Sequence, residues 1–137
     1  GIVPAGETRE QMASMVDLAP TFMQLAGAKI PAGLHGESLK GCLDDATVAG
    51  RDSVLVEYYS DTVFDRIQEM GYEAIRTPDW KYIRYVDLEG MDELYDLRND
   101  PYEVTNRIDD PSVSLELVAL RERLRVLVVP FSMDERC

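Results

Sequence analysis

Four leucines at helical spacing, Leu117, Leu120, Leu124 and Leu127, follow a long stretch of short alternating segments. An apolar helical stripe needs a surface to cover and a half-buried sheet needs a cover, so each limits the other. Val54, Val56 and Tyr58 alternate with Leu55 and Glu57, the period-two pattern of a strand. Glu73–Thr77 and Trp80–Val86 read as two further strands joined at the tight-turn pair Pro78-Asp79. Asp87–Asp92, containing Gly90, leads into a fourth strand over Glu93–Leu97. The expected class is α+β, a four-stranded antiparallel sheet covered by a C-terminal helix. Val128 widens the helical stripe, Asp110, Ser112 or Ser114 supplies an N-cap, and Pro130 stops the helix. In the third strand Trp80, Tyr82, Arg84 and Val86 share one face, and Lys81, Ile83 and Tyr85 share the other. Large rings on both faces leave the buried one open.

Residues 1–52 read differently. One long helix over Gln11–Ala26 would place Pro20 in its interior, where it loses a hydrogen bond and clashes with the preceding turn. The preferred reading is a strand over Met12–Val16, then a helix capped by Asp17 with Pro20 harmlessly in its first turn. Phe22, Met23, Leu25 and Ala26 form its apolar side and Gly27 its C-cap. Residues 28–52 show little periodicity and read as a surface loop with one turn near Glu37–Cys42.

Charge narrows the function. Fourteen basic against 26 acidic residues give a net of −12, which disfavours nucleic acid and anionic membranes as partners. No apolar run approaches the roughly 20 residues of a membrane span. Cys42 and Cys137 are too few for a disulfide framework, and Cys42 reads as an idle thiol with no basic neighbour to activate it.

The run Glu93-Leu94-Tyr95-Asp96-Leu97, then Asp100-Pro101, Glu103 and Asn106, resembles a signature near the C-terminus of sulfatases, members of the alkaline phosphatase superfamily. Other stretches agree in order. They are Gly1–Gly6, Val16–Thr21 with Leu25-Ala26-Gly27, Gly36-Glu37-Ser38-Leu39, and Glu57 followed by Arg76-Thr77-Pro78-Asp79-Trp80-Lys81-Tyr82-Ile83. The resemblance implies that residues 1–52 are the end of the large α/β catalytic domain, a strand-helix remnant with a loop. Residues 53–137 would then be the C-terminal subdomain. It further implies a full-length enzyme that hydrolyses sulfate esters with a formylglycine nucleophile, made from Cys or Ser in a Cys/Ser-x-Pro-x-Arg motif, and a calcium ion. Cys42 is followed by Leu43-Asp44-Asp45-Ala46 and does not match that motif, so no catalytic residue is expected here.

Candidate contacts are few. The connection Glu57–Tyr72 carries Tyr58, Tyr59, Asp61, Phe64, Asp65 and Arg66, and in the family it can approach the substrate cleft. Tyr rings there can stack on a sugar or aryl group while their hydroxyls fix its orientation. Glu57, Tyr58, Tyr59 and the lone histidine, His35, are the expected substrate contacts. Asp92, Glu93, Asp96, Asn99 and Asp100 lack the pattern of a calcium loop and read as turn residues, as do Asp44-Asp45 and Asp109-Asp110. Arg76 and Lys81 read as partners for nearby carboxylates.

The expected role is therefore structural: to support the N-terminal catalytic domain of the same chain and lend part of the rim for a sulfated small molecule or glycan. No metal is expected within these residues, and no sulfatase activity from them alone. If residues 1–27 lack their partner, their apolar face (Met15, Val16, Leu18, Phe22, Leu25) pairs two copies in a homodimer. The alternatives are an autonomous binding or oligomerisation module and the C-terminal part of a phosphodiester or phosphonate ester hydrolase. The sequence does not indicate a compartment.

Overall fold

The computed structural model describes residues 3–59 and 69–128. Gly1, Ile2, Asp61, Phe64, Asp65, Arg66, Pro130 and Cys137 lie outside them, and so do the expectations attached to those positions. The chain divides into two compact units, Gly1–Val54 and Leu55–Cys137. No helix among the described residues is long and apolar enough to cross a membrane.

The second unit is the α+β layer that the alternation predicts. Strands β1 (Val54–Tyr58), β2 (Tyr72–Arg76), β3 (Trp80–Tyr85) and β4 (Glu93–Asp96) form one four-stranded antiparallel sheet in sequence order. Thr77, Pro78 and Asp79 turn β2 into β3. The Thr77 N–H donates to the Trp80 carbonyl at 2.8 Å, and its Oγ1 accepts from the Trp80 N–H at 3.0 Å. That turn sets the register: Ile75 faces Tyr82, which faces Leu94 on β4. These three side chains therefore share one face, and helix α1 of this unit (Ser114–Leu127) lies on it. Leu120 and Leu124 are buried against Ile75, Tyr82 and Leu94, with Leu55, Trp80, Ile108, Val113 and Leu117 around them. The helix is entered through a 3-10 turn, Pro111–Val113, capped by Asp110, whose carboxylate accepts from the Ser112 N–H at 2.8 Å. The Ser112 hydrogen bonds and the Arg107 guanidinium hold the Asp110 carboxyl down at about 2.

The opposite face is not simply wet. Ala74 and Ile83, paired across β2 and β3, are also buried, which is why ring content alone could not choose between the faces.

The acidic run after β4 acts as a clasp on the sheet edge. Asn106 Oδ1 accepts from the backbone N–H groups of Leu94 and Ile108, both at 3.0 Å, and the Arg107 N–H donates to the Leu94 carbonyl at 2.8 Å. Asp100 accepts from the Thr105 N–H at 2.8 Å, and Asp96 takes Asn99 Nδ2 at 2.9 Å. The Asn106 and Arg107 bonds occupy the outward N–H and carbonyl of Leu94, which an edge strand otherwise leaves open. The turn reading holds for Asn99 and Asp100, for Asp45, which accepts from Thr47, and for Asp110, whereas Glu93 and Asp96 lie within β4 and Asp92 accepts from the Tyr82 hydroxyl.

The first unit corrects two expectations. No strand forms over Met12–Val16; Met12 makes only an isolated bridge to Arg51, and Met15–Asp17 is a 3-10 turn running into a helix over Leu18–Leu25. Asp17 does not cap that helix with its side chain. Its Oδ2 instead accepts from the Ser14 N–H at 2.8 Å, one arm of a Ser-x-x-Asp capping box that starts the helical turn early. Oδ1 takes the Glu37 N–H at 2.9 Å and the Arg51 guanidinium, so the fully buried carboxylate ties three distant stretches together. Thr21 Oγ1 reinforces the link to the Glu37 stretch by accepting from the Leu39 N–H at 2.8 Å. Pro20 does sit in the first turn, and because it has no N–H the Val16 carbonyl stays free of the helix ladder. Gly36 approaches that carbonyl so closely that a Cβ on it would lie 1.9 Å from the Val16 oxygen. Gly27 ends the helix as expected: its N–H donates to the Gln24 carbonyl at 3.1 Å and the Ala28 N–H to the Met23 carbonyl at 2.8 Å, a Schellman pair. The loop after it contains a short helix, Lys40–Asp44.

Two substitutions separate core from rim. Leu124→Ala should cost about 3 kcal/mol by urea unfolding, because the buried site cannot collapse around the lost carbons. Leu127→Ala, at a position 42% exposed, should cost under about 1 kcal/mol.

Candidate functional site

The sheet face away from the helix carries a row of tyrosines, one from each of the first three strands. Tyr58 stacks on Tyr72 with ring centroids 5.5 Å apart, and Tyr72 meets Tyr85 edge-on at 6.0 Å. The row follows from register, since Tyr72 and Tyr85 are directly opposite and such cross-strand pairs interact strongly. On β4 the row ends at Glu93, whose carboxylate accepts from Tyr85 Oη at 3.0 Å and from Tyr95 Oη at 2.7 Å. Lys81, on the same face, is paired with Glu103 at 2.6 Å.

These phenols are donors and not nucleophiles. Burial, then the hydrogen bond to Glu93, pushes Tyr85 above the ordinary phenol range and Tyr95 up to about 12. Tyr59, just beyond β1, donates to Glu57 at 2.7 Å, and that bond raises its pKa as well. The result is a strip of oriented hydroxyls and ring faces, suited to holding a polar ring and unsuited to attacking it.

A second feature lies on the helix side. Tyr82 Oη donates to Asp92 Oδ2 at 2.5 Å and accepts from Arg121 Nε at 3.2 Å, while the Arg121 guanidinium stands 5.5 Å over the Tyr82 ring. Burial, then the Asp92 bond, raises the Tyr82 pKa. These residues line an open groove of about 550 Å³ with Arg84, Val118, Glu122 and Arg125. Each arginine in it already faces an acid: Arg84 meets Glu73, Arg121 meets Asp92, and Arg125 meets Glu122. The groove holds the helix in register and carries no uncompensated charge to recruit a ligand.

Of the expected substrate contacts, Glu57, Tyr58 and Tyr59 are adjacent at the end of β1, with Glu57 bonded to Tyr59 and Tyr58 stacked into the row. His35 lies in the first unit, exposed, in the loop between its two helices. The residues that sequence reasoning missed are Tyr72, Tyr85, Glu93 and Tyr95. The Tyr72–Tyr85 pairing was readable from the Pro78-Asp79 turn by counting outward from it.

The calcium implied by the resemblance does not fit the donors present. Among the described residues no group of three or more His, Cys, Asp or Glu side chains converges to hold a metal ion. Asp92, Glu93 and Asp96 accept hydrogen bonds from protein donors instead. Cys42, partly buried beside a recess of about 140 Å³, gives its carbonyl to Arg9 at 2.8 Å and lies outside any formylglycine-type motif.

Comparison with known proteins adds four findings. The family model described as N-sulphoglucosamine sulphohydrolase, C-terminal, matches residues 1–129. An N-acetylglucosamine-6-O-sulfatase from Bacteroides thetaiotaomicron is 31% identical over 105 residues, 76% of this chain and 19% of that protein. A solved structure of BT4656 in complex with its substrate D-glucosamine-2-N,6-O-disulfate superposes with a TM-score of 0.82 at 27% identity, over 91% of this chain and 26% of the other. The phosphonate monoester hydrolase of Agrobacterium radiobacter does so with a TM-score of 0.76 at 26% identity, over 90% and 26%. The chain thus spans about a fifth to a quarter of the proteins it matches.

Ultraviolet titration of the phenols tests the Glu93 arrangement. In the wild-type chain one tyrosine should ionise near 12, and Tyr95→Phe should remove that step. Glu93→Gln should move it downward without restoring an ordinary value, since burial remains. The folded phenol pKa lies above the unfolded one, so the associated stability is complete below pH 10 and lost as pH rises toward 12.

Proposed function

The chain belongs to the sulfatase family, as its C-terminal portion, and from that premise we propose that it serves as the supporting subdomain of a larger ester hydrolase. In this reading it packs against a catalytic α/β domain and contributes no reacting group. The observation that carries the proposal is the state of the first unit. Met15 is 81% and Phe22 63% exposed, and among its described residues no large apolar side chain is fully buried. The unit is held by polar bonds around Asp17, which fix loops but do not supply the apolar burial that stabilises an isolated fold. A larger body covering the helix Leu18–Leu25 supplies it, and a chain spanning a fifth of its relatives leaves room for that body. An autonomous module would bury this face within itself.

We assign Glu57, Tyr58, Tyr59 and His35 to the substrate rim of the complete enzyme. The exposed Tyr59 hydroxyl, oriented by Glu57, and the stacked Tyr58 ring suit the hydroxyl groups and flat faces of a sugar bearing a sulfate ester. Formylglycine and calcium belong to the catalytic domain in this proposal, where a metal offsets the charge of the sulfate and stabilises the transition state. A phosphonate monoester hydrolase also superposes on the chain, so the second reading is a related ester hydrolase in which the same subdomain serves a different anion.

Two measurements test this. The 137-residue chain, supplied with calcium and an aryl sulfate, should show only background hydrolysis; turnover that tracks the protein contradicts the assignment. In an enzyme that unites this chain with its catalytic domain, Phe22→Glu should lower the melting temperature by about 4 °C or more, since charge enters a buried contact. In the isolated chain the same change should be nearly silent, and equal small effects in both would remove the proposed contact.

A further inference from the structure

The tyrosine row links the two edges of the sheet, and those edges differ. On β4 the outward groups of Leu94 are held by Asn106 and Arg107. β1, at the other edge, ends in the exposed run Val56, Glu57 and Tyr58, with Tyr59 beyond it. An aromatic side chain at the open end of an edge strand can sample several rotamers, and ordering it when a ligand arrives costs affinity. The Tyr58 ring is not left in that state. It lies on the Tyr72 ring with centroids 5.5 Å apart and planes 27° apart. The stack covers one side of the ring, and Tyr58 is still 39% exposed for a substrate to meet.

Tyr72 is itself fixed by its neighbours. It is half-buried and pairs across β2 and β3 with Tyr85, whose ring meets it edge-on at 6.0 Å and 65°. The preceding residue, Gly71, is buried and accepts from the Val86 N–H at 2.9 Å. Gly71 also lies against the end of β1, where a Cβ built on it would fall 3.4 Å from the Tyr58 carbonyl oxygen. Tyr85 Oη donates to Glu93 at 3.0 Å, and Glu93 holds Tyr95 as well. Burial, then the Glu93 bond, raises the Tyr85 pKa, so this phenol remains a donor at neutral pH. Contacts thus run without a break from the clasped edge, through β3 and β2, to the ring at the open edge. The apolar cluster of the unit, Ile75, Tyr82, Leu94, Leu120 and Leu124, lies on the other face and includes no member of the row.

We propose that Tyr72 is a positioning residue for substrate: it makes no contact with the substrate and holds the Tyr58 ring in the orientation that does. The inference rests on the rim reading given above, which supplies the contact for which Tyr58 is oriented. Binding then gains because the ring is ordered before the substrate arrives. What Tyr72 contributes is its flat face, and its hydroxyl has no part in this. A stacked aromatic pair is strong enough to change the population of the oriented ring by about two- to tenfold.

Steady-state kinetics on an enzyme that unites this chain with its catalytic domain test the inference, using para-nitrophenyl sulfate or para-nitrophenyl phenylphosphonate according to which ester it hydrolyses. Tyr72→Leu should raise KM by about three- to tenfold and leave kcat within about twofold. Tyr72→Phe keeps the flat ring and should keep the wild-type KM. A merely structural role gives another pattern, since fewer folded molecules lower the apparent kcat and leave KM alone. In Tyr58→Ala the ring to be positioned is gone, so adding Tyr72→Leu should raise KM no further. If Tyr58→Ala raises KM but Tyr72→Leu does not, or if the two rises multiply in the double variant, the inference falls and the rim reading stands. An unchanged KM in Tyr58→Ala removes the rim reading and this inference with it. Proton NMR of the 137-residue chain gives a readout that needs no Tyr72→Leu protein. The Tyr58 ring resonances, identified by their loss in Tyr58→Ala, should be shifted upfield by the Tyr72 ring current, and random-coil positions would overturn the proposal.

Discussion

The contact on which the second unit depends is the seating of Leu120 and Leu124 on Ile75, Tyr82 and Leu94. A four-stranded antiparallel sheet of four- to six-residue strands has too little self-contact to persist with its apolar face in water. The helix removes that face from solvent. Position along the helix is then set by polar geometry, because Arg121 must reach the Tyr82 hydroxyl while its guanidinium covers the ring and Asp92 closes the triangle. Burial thus supplies the attraction and the Tyr82–Asp92–Arg121 group supplies the register. The clasp by Asn106 and Arg107 completes the unit by occupying the edge of β4.

The first unit is built on the opposite principle. Its centre is a carboxylate, and its bonds run from Asp17 to Ser14, Glu37 and Arg51, from Arg9 to the carbonyls of Cys42 and Leu43, and from Gln11 to those of Ala46 and Val48. Such a network gives a loop-rich segment one conformation, and at its centre the loss of Ser14, Glu37 or Arg51 as a partner leaves the buried Asp17 carboxylate short of a bond. It supplies little free energy of its own. A unit that is conformationally defined yet short of apolar burial is what one expects of a segment shaped to meet a larger body.

Much of the second unit was legible because its signals are local. Val54–Tyr58, Glu73–Thr77, Trp80–Val86 and Glu93–Leu97 announce themselves by alternation and by Pro78-Asp79, and the leucine spacing announces the helix. The strand expected over Met12–Val16 failed because its short alternation competed with a capping box at Ser14 and Asp17, a stronger local signal that was present in the sequence. The role of Asp17 was not legible at all, since Arg51 lies 34 positions away. The tyrosine row was half legible. Its members on β2 and β3 follow from the hairpin register, whereas the bridging carboxylate of Glu93 depends on where β4 pairs, which no local pattern fixes. The family signature was read correctly as a family mark, but its physical meaning, a clasp on a sheet edge, needed coordinates.

Native-state hydrogen exchange on the 137-residue chain is the most direct test of the central claim that helix and sheet form one cooperative body. Amides of Tyr82, Ile83 and Leu94 and those of Leu120 to Leu127 should open with a common free energy, the largest in the molecule. If the helical amides instead exchange far faster than those of the strands, the helix is not what holds the sheet together and the account fails.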